Sequence, residues 1–266
     1  MVRNIMENRC KSKSLAKAFI ERKAKSWKFA ALTAYDYPMG KLLDGLGLDF
    51  LLVGDSLGMV VLGYPDTTMV TLDDMVHHTR AVARGVSETP LIADLPAHST
   101  ETKSMGVSSA RKLIEAGAKG VKPEGGREML PVIKGILREG IPVLGHIGML
   151  PQRVKEEGGY KVKGKNPEQA EELIADAQAL DEAGVFGLVL ELVSPPVAEA
   201  ISRKTRVPTI GIGSGSGCDG EILVTHDLLG MFPWFKPRFV RPKVDLAAQI
   251  QSAVTEFVKE CRKVGE

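Results

Sequence analysis

Cysteine is scarce in this chain. Three are present in 266 residues, at positions 10, 218 and 261. An odd number, widely separated and without metal-ligand spacing, argues against a disulfide framework or a zinc ribbon and points to a reducing, cytoplasmic setting. Long apolar runs are also missing; none approaches the ~20 residues that cross a bilayer. Charge of one sign is not in excess, since 35 Lys and Arg against 33 Asp and Glu leave +2. That balance offers no footing for nucleic acid or an acidic membrane. No G-x-G-x-x-G follows the first apolar run, which weighs against a dinucleotide-binding open sheet. The first 27 residues are basic but carry Glu7 and Glu21 and no secretory apolar core. They read as a basic helical extension ahead of the main domain, not as a targeting leader.

What the sequence does have is a rhythm. Short runs that are apolar throughout alternate with helical patterns. The runs are Lys28 to Ala34, Asp49 to Val53, Pro90 to Ala93, Gly120 to Lys122, Pro142 to Gly145, Gly187 to Leu190 and Pro208 to Ile212, with Phe239-Val240 a weak eighth. Continuous apolarity suits parallel strands buried on both faces. Between them, Thr71 and Asp74 form a capping-box pattern ahead of Leu72 to Gly85. Segments 104–116, 127–139 and 167–183 read as helices that stop at Gly117, Gly140 and Gly184. A last helix is predicted over Val244 to Lys263. The fold class is therefore α/β, a (β/α)8 TIM barrel filling residues 28–266 as one domain. The connection Ile147 to Lys165, rich in glycine, is long enough to be a functional lid.

In such a barrel the chemistry gathers where strands end at their carboxyl side. The residues that follow the runs are Tyr35-Asp36, Gly54-Asp55-Ser56, Asp94, Lys122-Pro123-Glu124, His146, Glu191 and the glycine-rich stretch 213–220. Any one of them alone has a structural reading, such as a helix cap, a surface pair or a satisfied core histidine. Together they make a rim rich in carboxylates and lacking a His/Cys cluster. Hard oxygen donors favour Mg²⁺ or Mn²⁺ over Zn²⁺. Asp55, Asp94 and Glu124 can hold one such ion, with Lys122 neutralising a chelating 2-oxo acid. A Lewis acid on the carbonyl eases removal of a proton from the adjacent carbon, and Glu191, on another strand, can be the general base. The glycine run reads either as a phosphate cradle or as a tight turn.

At these residues the chain resembles the ketopantoate hydroxymethyltransferase family. The matching stretches are Thr33-Ala34-Tyr35-Asp36, Val53 to Met59, Ala93-Asp94-Leu95-Pro96, and Val121-Lys122 with Glu124-Gly125-Gly126. Further on come Gly145-His146-Ile147-Gly148 with Pro151-Gln152, Gly158 to Gly164, Leu188 to Glu191, Ile210 to Gly213 and Cys218-Asp219-Gly220. They run in family order from about residue 30 to residue 240. The resemblance implies 3-methyl-2-oxobutanoate as substrate, 5,10-methylenetetrahydrofolate as one-carbon donor and one Mg²⁺ per subunit. It implies Asp55, Asp94 and Glu124 as metal ligands. Asp55, Ser56, Asp94 and Lys122 would bind the oxo acid, with His146 lining the site, and Glu191 would accept the proton. It also implies a homo-oligomer, a decamer of stacked pentamers. The sequence departs from the family pattern at Pro123 and at Ala97-His98-Ser99-Thr100. A competing reading is a Mg²⁺-dependent 2-oxo acid carbon–carbon lyase or mutase of the phosphoenolpyruvate mutase/isocitrate lyase type. The cysteine such enzymes carry in the lid is missing from Gly158-Gly159-Tyr160-Lys161.

Overall fold

The computed structural model describes residues 15–263. A helix over residues 15–24 (α1) leads into eight strands. They are β1 (Phe29–Thr33), β2 (Phe50–Val53), β3 (Leu91–Asp94), β4 (Gly120–Lys122), β5 (Leu144–Gly148), β6 (Gly187–Glu191), β7 (Thr209–Ile212) and β8 (Gly220–Leu223). Between the strands run α2 (Tyr37–Leu43), α3 (Leu57–Val60), α4 (Leu72–Ala83), α5 (Lys103–Glu115), α6 (Leu130–Arg138), α7 (Pro167–Ala183) and α8 (Pro195–Lys204). The sheet order is β4-β3-β2-β1-β8-β7-β6-β5. Its two edge strands meet through a bridge between Val121 and Val143, where Val121 N–H donates to Pro142 O at 3.0 Å. The result is a nearly closed barrel of parallel strands.

Local chemistry explains most boundaries. Thr71 Oγ1 accepts from Asp74 N and the Asp74 carboxylate accepts from Thr71 N, so the capping box forms as the pattern predicts. Gly184 ends α7 in the left-handed region at φ 97°, where a side chain would be strained. Pro90, Pro142 and Pro208 stand just ahead of β3, β5 and β7. They have no N–H to give, yet their carbonyls accept from Leu51, Val121 and Leu188 of neighbouring segments. The predicted helix from Arg127 opens instead as a 3₁₀ turn over Arg127–Met129 and becomes α-helical at Leu130.

One strand lies elsewhere than the sequence suggested. The eighth strand is Gly220–Leu223, and Phe239 sits in a turn. The true strand hides because Ile222 alone in it is buried. It pairs with β7 directly, Ile210 opposite Gly220, with no helix between them. Gly220 also lies so close to β1 that an added Cβ would fall 2.4 Å from Phe29 Cβ.

Alternation along the strands divides the core into two layers. Ala34, Leu51, Val53, Leu91, Ala93, Leu188 and Leu190 face the helices. Phe29, Ala31, Phe50, Leu52, Ile92, Leu144, Val189, Ile210 and Ile222 form a second cluster inside the barrel. Phe19 of α1 belongs to that inner cluster, with ring centroids 5.1 Å from Phe29 and 5.2 Å, edge-on, from Phe186. The helix expected in the N-terminal extension is thus present over 15–24, and its aromatic residue plugs the barrel. Residues 1–14 lie outside the described residues. The chain divides into two compact units, the barrel up to Ile222 and a second unit from Leu223. The second holds α9 (Thr225–Leu228) and α10 (Leu246–Lys263), where Ile250, Val254 and Phe257 share one side of the helix.

Candidate active site

Strand register brings the candidate residues to one rim. Asp94 ends β3 and pairs in register with Lys122, which ends β4. Asp55 and Ser56 follow β2, His146 lies within β5, and Glu191 ends β6. Glu124 comes two residues after β4, beside the bridge that joins Gly125 to His146. Asp55, Asp94, Lys122, Glu124 and His146 are all buried. Burying that much charge is costly unless it is paired.

The pairing is partial. Lys122 Nζ lies 3.0 Å from Asp94 Oδ1 and 3.1 Å from His146 Nδ1. Asp94 Oδ2 accepts from Asp55 N at 3.0 Å. His146 Nδ1 lies 3.4 Å from Glu124 Oε1, and His146 Nε2 lies 3.3 Å from Glu191 Oε2. Asp94 Oδ1 thus has the Lys122 ammonium alone, and Glu124 Oε1, also buried, receives no hydrogen bond of proper geometry among the described residues. Three carboxylates therefore surround one ammonium with oxygens to spare. Burial, with the charges of Asp94 and Glu124, pushes Asp55 well above the usual carboxylate range. Burial raises Asp94 and Glu124 too, against the pull of Lys122. Burial also opposes the Lys122 charge, but Asp94, Glu124 and Asp55 outweigh it and hold the ammonium more basic than an ordinary lysine. Burial and the Lys122 charge hold His146 below its usual value, so its imidazole is neutral at pH 7. A charged lysine donating to Nδ1 leaves the ring proton on Nε2, facing Glu191.

Ser56 is fixed from the side. Its Oγ and the Tyr35 hydroxyl are 2.8 Å apart. Gly54 must be glycine for this approach, because an added Cβ would fall 2.8 Å from Ser56 Oγ. Pro123, between Lys122 and Glu124, leaves both flanking side chains buried at the rim.

Two residues to which sequence reasoning assigned no role complete the site. Gln152 sits in the 3₁₀ turn Pro151–Arg153, at the start of the long loop after β5. Its Nε2 donates to Asp55 Oδ2 at 2.7 Å and to Leu95 O at 2.9 Å, and its N–H donates to Glu124 Oε2 at 3.1 Å. A neutral amide gives no chemical signal in a sequence; the signal at hand was the match of Pro151-Gln152 to the family pattern. Tyr160, farther along the loop, donates its hydroxyl to Met59 Sδ at 3.7 Å. Partial burial and the nearby charges of Glu191, Asp55 and Glu124 raise its phenol above the ordinary tyrosine value. Lys155 ties the same loop to Thr68 Oγ1 at 2.9 Å and Asp66 Oδ2 at 3.2 Å. The long connection thus folds over the rim.

The glycine-rich stretch after β7 serves as a turn. Ser214 Oγ donates to Leu190 O at 2.7 Å and accepts from Val193 N at 2.9 Å, while Gly215 takes φ 81°. Its hydroxyl is used to brace the end of β6.

Among the described residues, no three His, Cys, Asp or Glu side chains form a ready cage for an ion. Mg²⁺ does not require one, since it binds through one or two carboxylates and keeps waters or substrate oxygens. Glu124 Oε1, without a hydrogen bond, and Asp94 Oδ1, held only by Lys122, stand beside Asp55 and fit such an ion by donor type and by charge.

A family model described as Ketopantoate hydroxymethyltransferase matches residues 13–265. A 3-methyl-2-oxobutanoate hydroxymethyltransferase of Thermus thermophilus is 46% identical over 243 residues, covering 91% of this chain and 93% of that protein. One of Acetivibrio thermocellus is 48% identical, covering 92% and 87%. One of Nitratidesulfovibrio vulgaris is 49% identical, covering 91% and 80%. Among solved structures, the phosphoenolpyruvate phosphomutase of Streptomyces platensis subsp. rosaceus is similar with TM-score 0.62 at 14% identity, covering 97% of this chain and 88% of that one. A phosphonopyruvate hydrolase in complex with oxalate and Mg²⁺ is similar with TM-score 0.60 at 15% identity, covering 96% and 99%. At that identity these structures speak to the fold alone.

Proposed function

This chain belongs to the ketopantoate hydroxymethyltransferase family, and on that footing we propose that it transfers a hydroxymethyl group to 3-methyl-2-oxobutanoate, giving 2-dehydropantoate for pantothenate biosynthesis. The one-carbon donor is 5,10-methylenetetrahydrofolate. The observation that carries this reading is the buried excess of carboxylates around Lys122, with Glu191 set apart from them behind His146.

Asp55, Asp94 and Glu124 are the residues that would hold Mg²⁺. When bound, the ion supplies Lewis-acid polarisation of the substrate carbonyl. Lys122 and Ser56 bind the carboxylate end of the oxo acid, Lys122 by charge and Ser56 by its hydroxyl, which Tyr35 orients. Glu191 accepts the proton from C3 of the substrate. His146 Nε2–H faces the Glu191 carboxylate and keeps it aimed. Water opens the methylene bridge of the folate, its bonds to N5 and N10 break, and tetrahydrofolate leaves. The C3 carbanion adds to the released formaldehyde-level carbon, whose oxygen takes up a proton to become the hydroxymethyl group. Gln152 and Tyr160 close the long loop over the rim and keep bulk water from the carbanion. The lyase and mutase reading shares the fold and the proton-abstraction step; family membership decides against it.

The enzyme works in the cytoplasm as a homo-oligomer, a decamer by the resemblance noted above. The helix over residues 15–24 forms its extension, and the barrel up to Ile222 carries the catalytic rim.

The test is proton exchange. Deuterated 3-methyl-2-oxobutanoate with Mg²⁺ should lose its C3 deuteron by NMR, and 2-dehydropantoate should form only when the folate is added. Glu191→Gln should slow exchange by about 10²–10⁴-fold. Exchange that proceeds unchanged in Glu191→Gln would remove Glu191 as the base. Absence of product with the folate present would overturn the transfer reaction.

A further inference from the structure

Each of the three rim carboxylates has one oxygen already taken by an N–H. Asp55 Oδ2 accepts from Gln152 Nε2, Glu124 Oε2 accepts from Gln152 N, and Asp94 Oδ2 accepts from Asp55 N. Two of the three are held by the same residue. The remaining oxygens include Asp94 Oδ1, which faces the Lys122 ammonium at 3.0 Å, and Glu124 Oε1, buried and without a hydrogen bond among the described residues. A carboxylate with one oxygen held by an N–H more readily gives a metal ion its other oxygen alone than grips it through both. That distinction separates ions. Ca²⁺ takes six to eight oxygens and commonly grips carboxylates through both, whereas Mg²⁺ demands six ligands in octahedral geometry and uses few carboxylates.

We propose that Gln152 sets which divalent cation this site accepts: by tying one oxygen of Asp55 and one of Glu124, it enforces single-oxygen ligation and selects a small six-coordinate ion over a larger one. The inference deepens the metal reading given above and rests on it. Gln152 is well suited to the task. Its second Nε2 proton goes to Leu95 O at 2.9 Å, so the amide cannot swing away without giving up a contact to the loop after β3. Pro151 fixes the backbone just ahead of it, in a 3₁₀ turn from which the Gln152 N–H reaches Glu124 Oε2. Gln152 acts through the carboxylates it positions, not by touching substrate.

The experiment measures Mg²⁺ and Ca²⁺ dissociation constants by calorimetry, without substrate, for the natural protein, Gln152→Met and Gln152→Glu. Methionine keeps the length and the backbone N–H but removes the side-chain donor. Glutamate keeps the shape and adds an oxygen. The natural protein should prefer Mg²⁺. In Gln152→Met the Mg²⁺ affinity should fall by about tenfold or more while that for Ca²⁺ holds or tightens. Gln152→Glu should move the ratio further towards Ca²⁺. Thermal melts check that each variant is folded, and the glutamate variant carries the test if methionine prevents folding. Equal losses for both ions, an unchanged ratio, or no divalent binding by the natural protein would overturn the proposal. A shifted ratio in a protein that forms no 2-dehydropantoate would sustain it and sink the reaction assignment instead.

Discussion

His146 presents Nε2 to Glu191 Oε2 at 3.3 Å, across neighbouring strands of the barrel. Its other nitrogen meets Lys122, so the ring carries its proton towards Glu191 and stays neutral. The histidine joins the cation of the substrate subsite to the base. Replacing it should therefore affect the chemical step more than binding. His146→Leu is expected to slow C3 proton exchange by at least about tenfold with a smaller change in KM. His146→Gln, which keeps an N–H donor of similar reach, should lose less. Equal losses in the two variants, read by NMR exchange rates, would mean that the donor is unimportant.

Lys122 lies among three buried carboxylates. Lys122→Met leaves Asp94 without its ion-pair partner and takes the buried cation from among the three. Removing one partner of a buried ion pair typically costs about 3–5 kcal/mol. The variant should melt well below the natural protein, and millimolar Mg²⁺ should recover more of its Tm than it adds to the natural protein. Melting curves with and without Mg²⁺ read this out; identical Mg²⁺ increments in the two proteins would argue that the carboxylates do not meet the ion.

Phe19 closes the inside of the barrel from α1. Phe19→Ala should destabilise the fold by about 3–5 kcal/mol through a cavity beside Phe29 and Phe186. The catalytic rim is built from other segments, so turnover per folded molecule at low temperature should be nearly unchanged. Denaturant unfolding and assay of the same sample separate the two effects.

Asp44 is expected to contribute to acid stability at a site remote from the rim. Slight burial disfavours its charge, but hydrogen bonds from Thr89 N, Ser87 N, Ser87 Oγ and Glu88 N outweigh that and hold it below the usual carboxylate range. Its folded-state value lies below the unfolded one, about 3.9. The stabilisation is therefore complete above that pH and is lost as pH falls through the folded value. Asp44→Asn should lower Tm at pH 7, and the gap to the natural protein should narrow below about pH 4. A gap that is constant from pH 7 to pH 3 would show that the charge plays no part.

Much of this was written locally. An apolar run followed by a charged residue placed Asp55, Asp94, Lys122 and Glu191 at strand ends, because a strand buried on both faces must be apolar until it reaches the rim. Thr71 and Asp74 announced their helix within four residues. The barrel class followed from that repetition. Other features needed the folded chain. Strand β8 has a single buried residue and exists because β1 and β7 supply its hydrogen-bonding partners. Phe19 became a plug because the open end of the barrel offered Phe29, Phe50 and Phe186. Gln152 reached Asp55 across 97 positions of sequence. Propensity and polarity act over a few residues and can be read in order along the chain. The pairing of a neutral amide with a distant carboxylate is decided by where closure of the barrel sets their backbones.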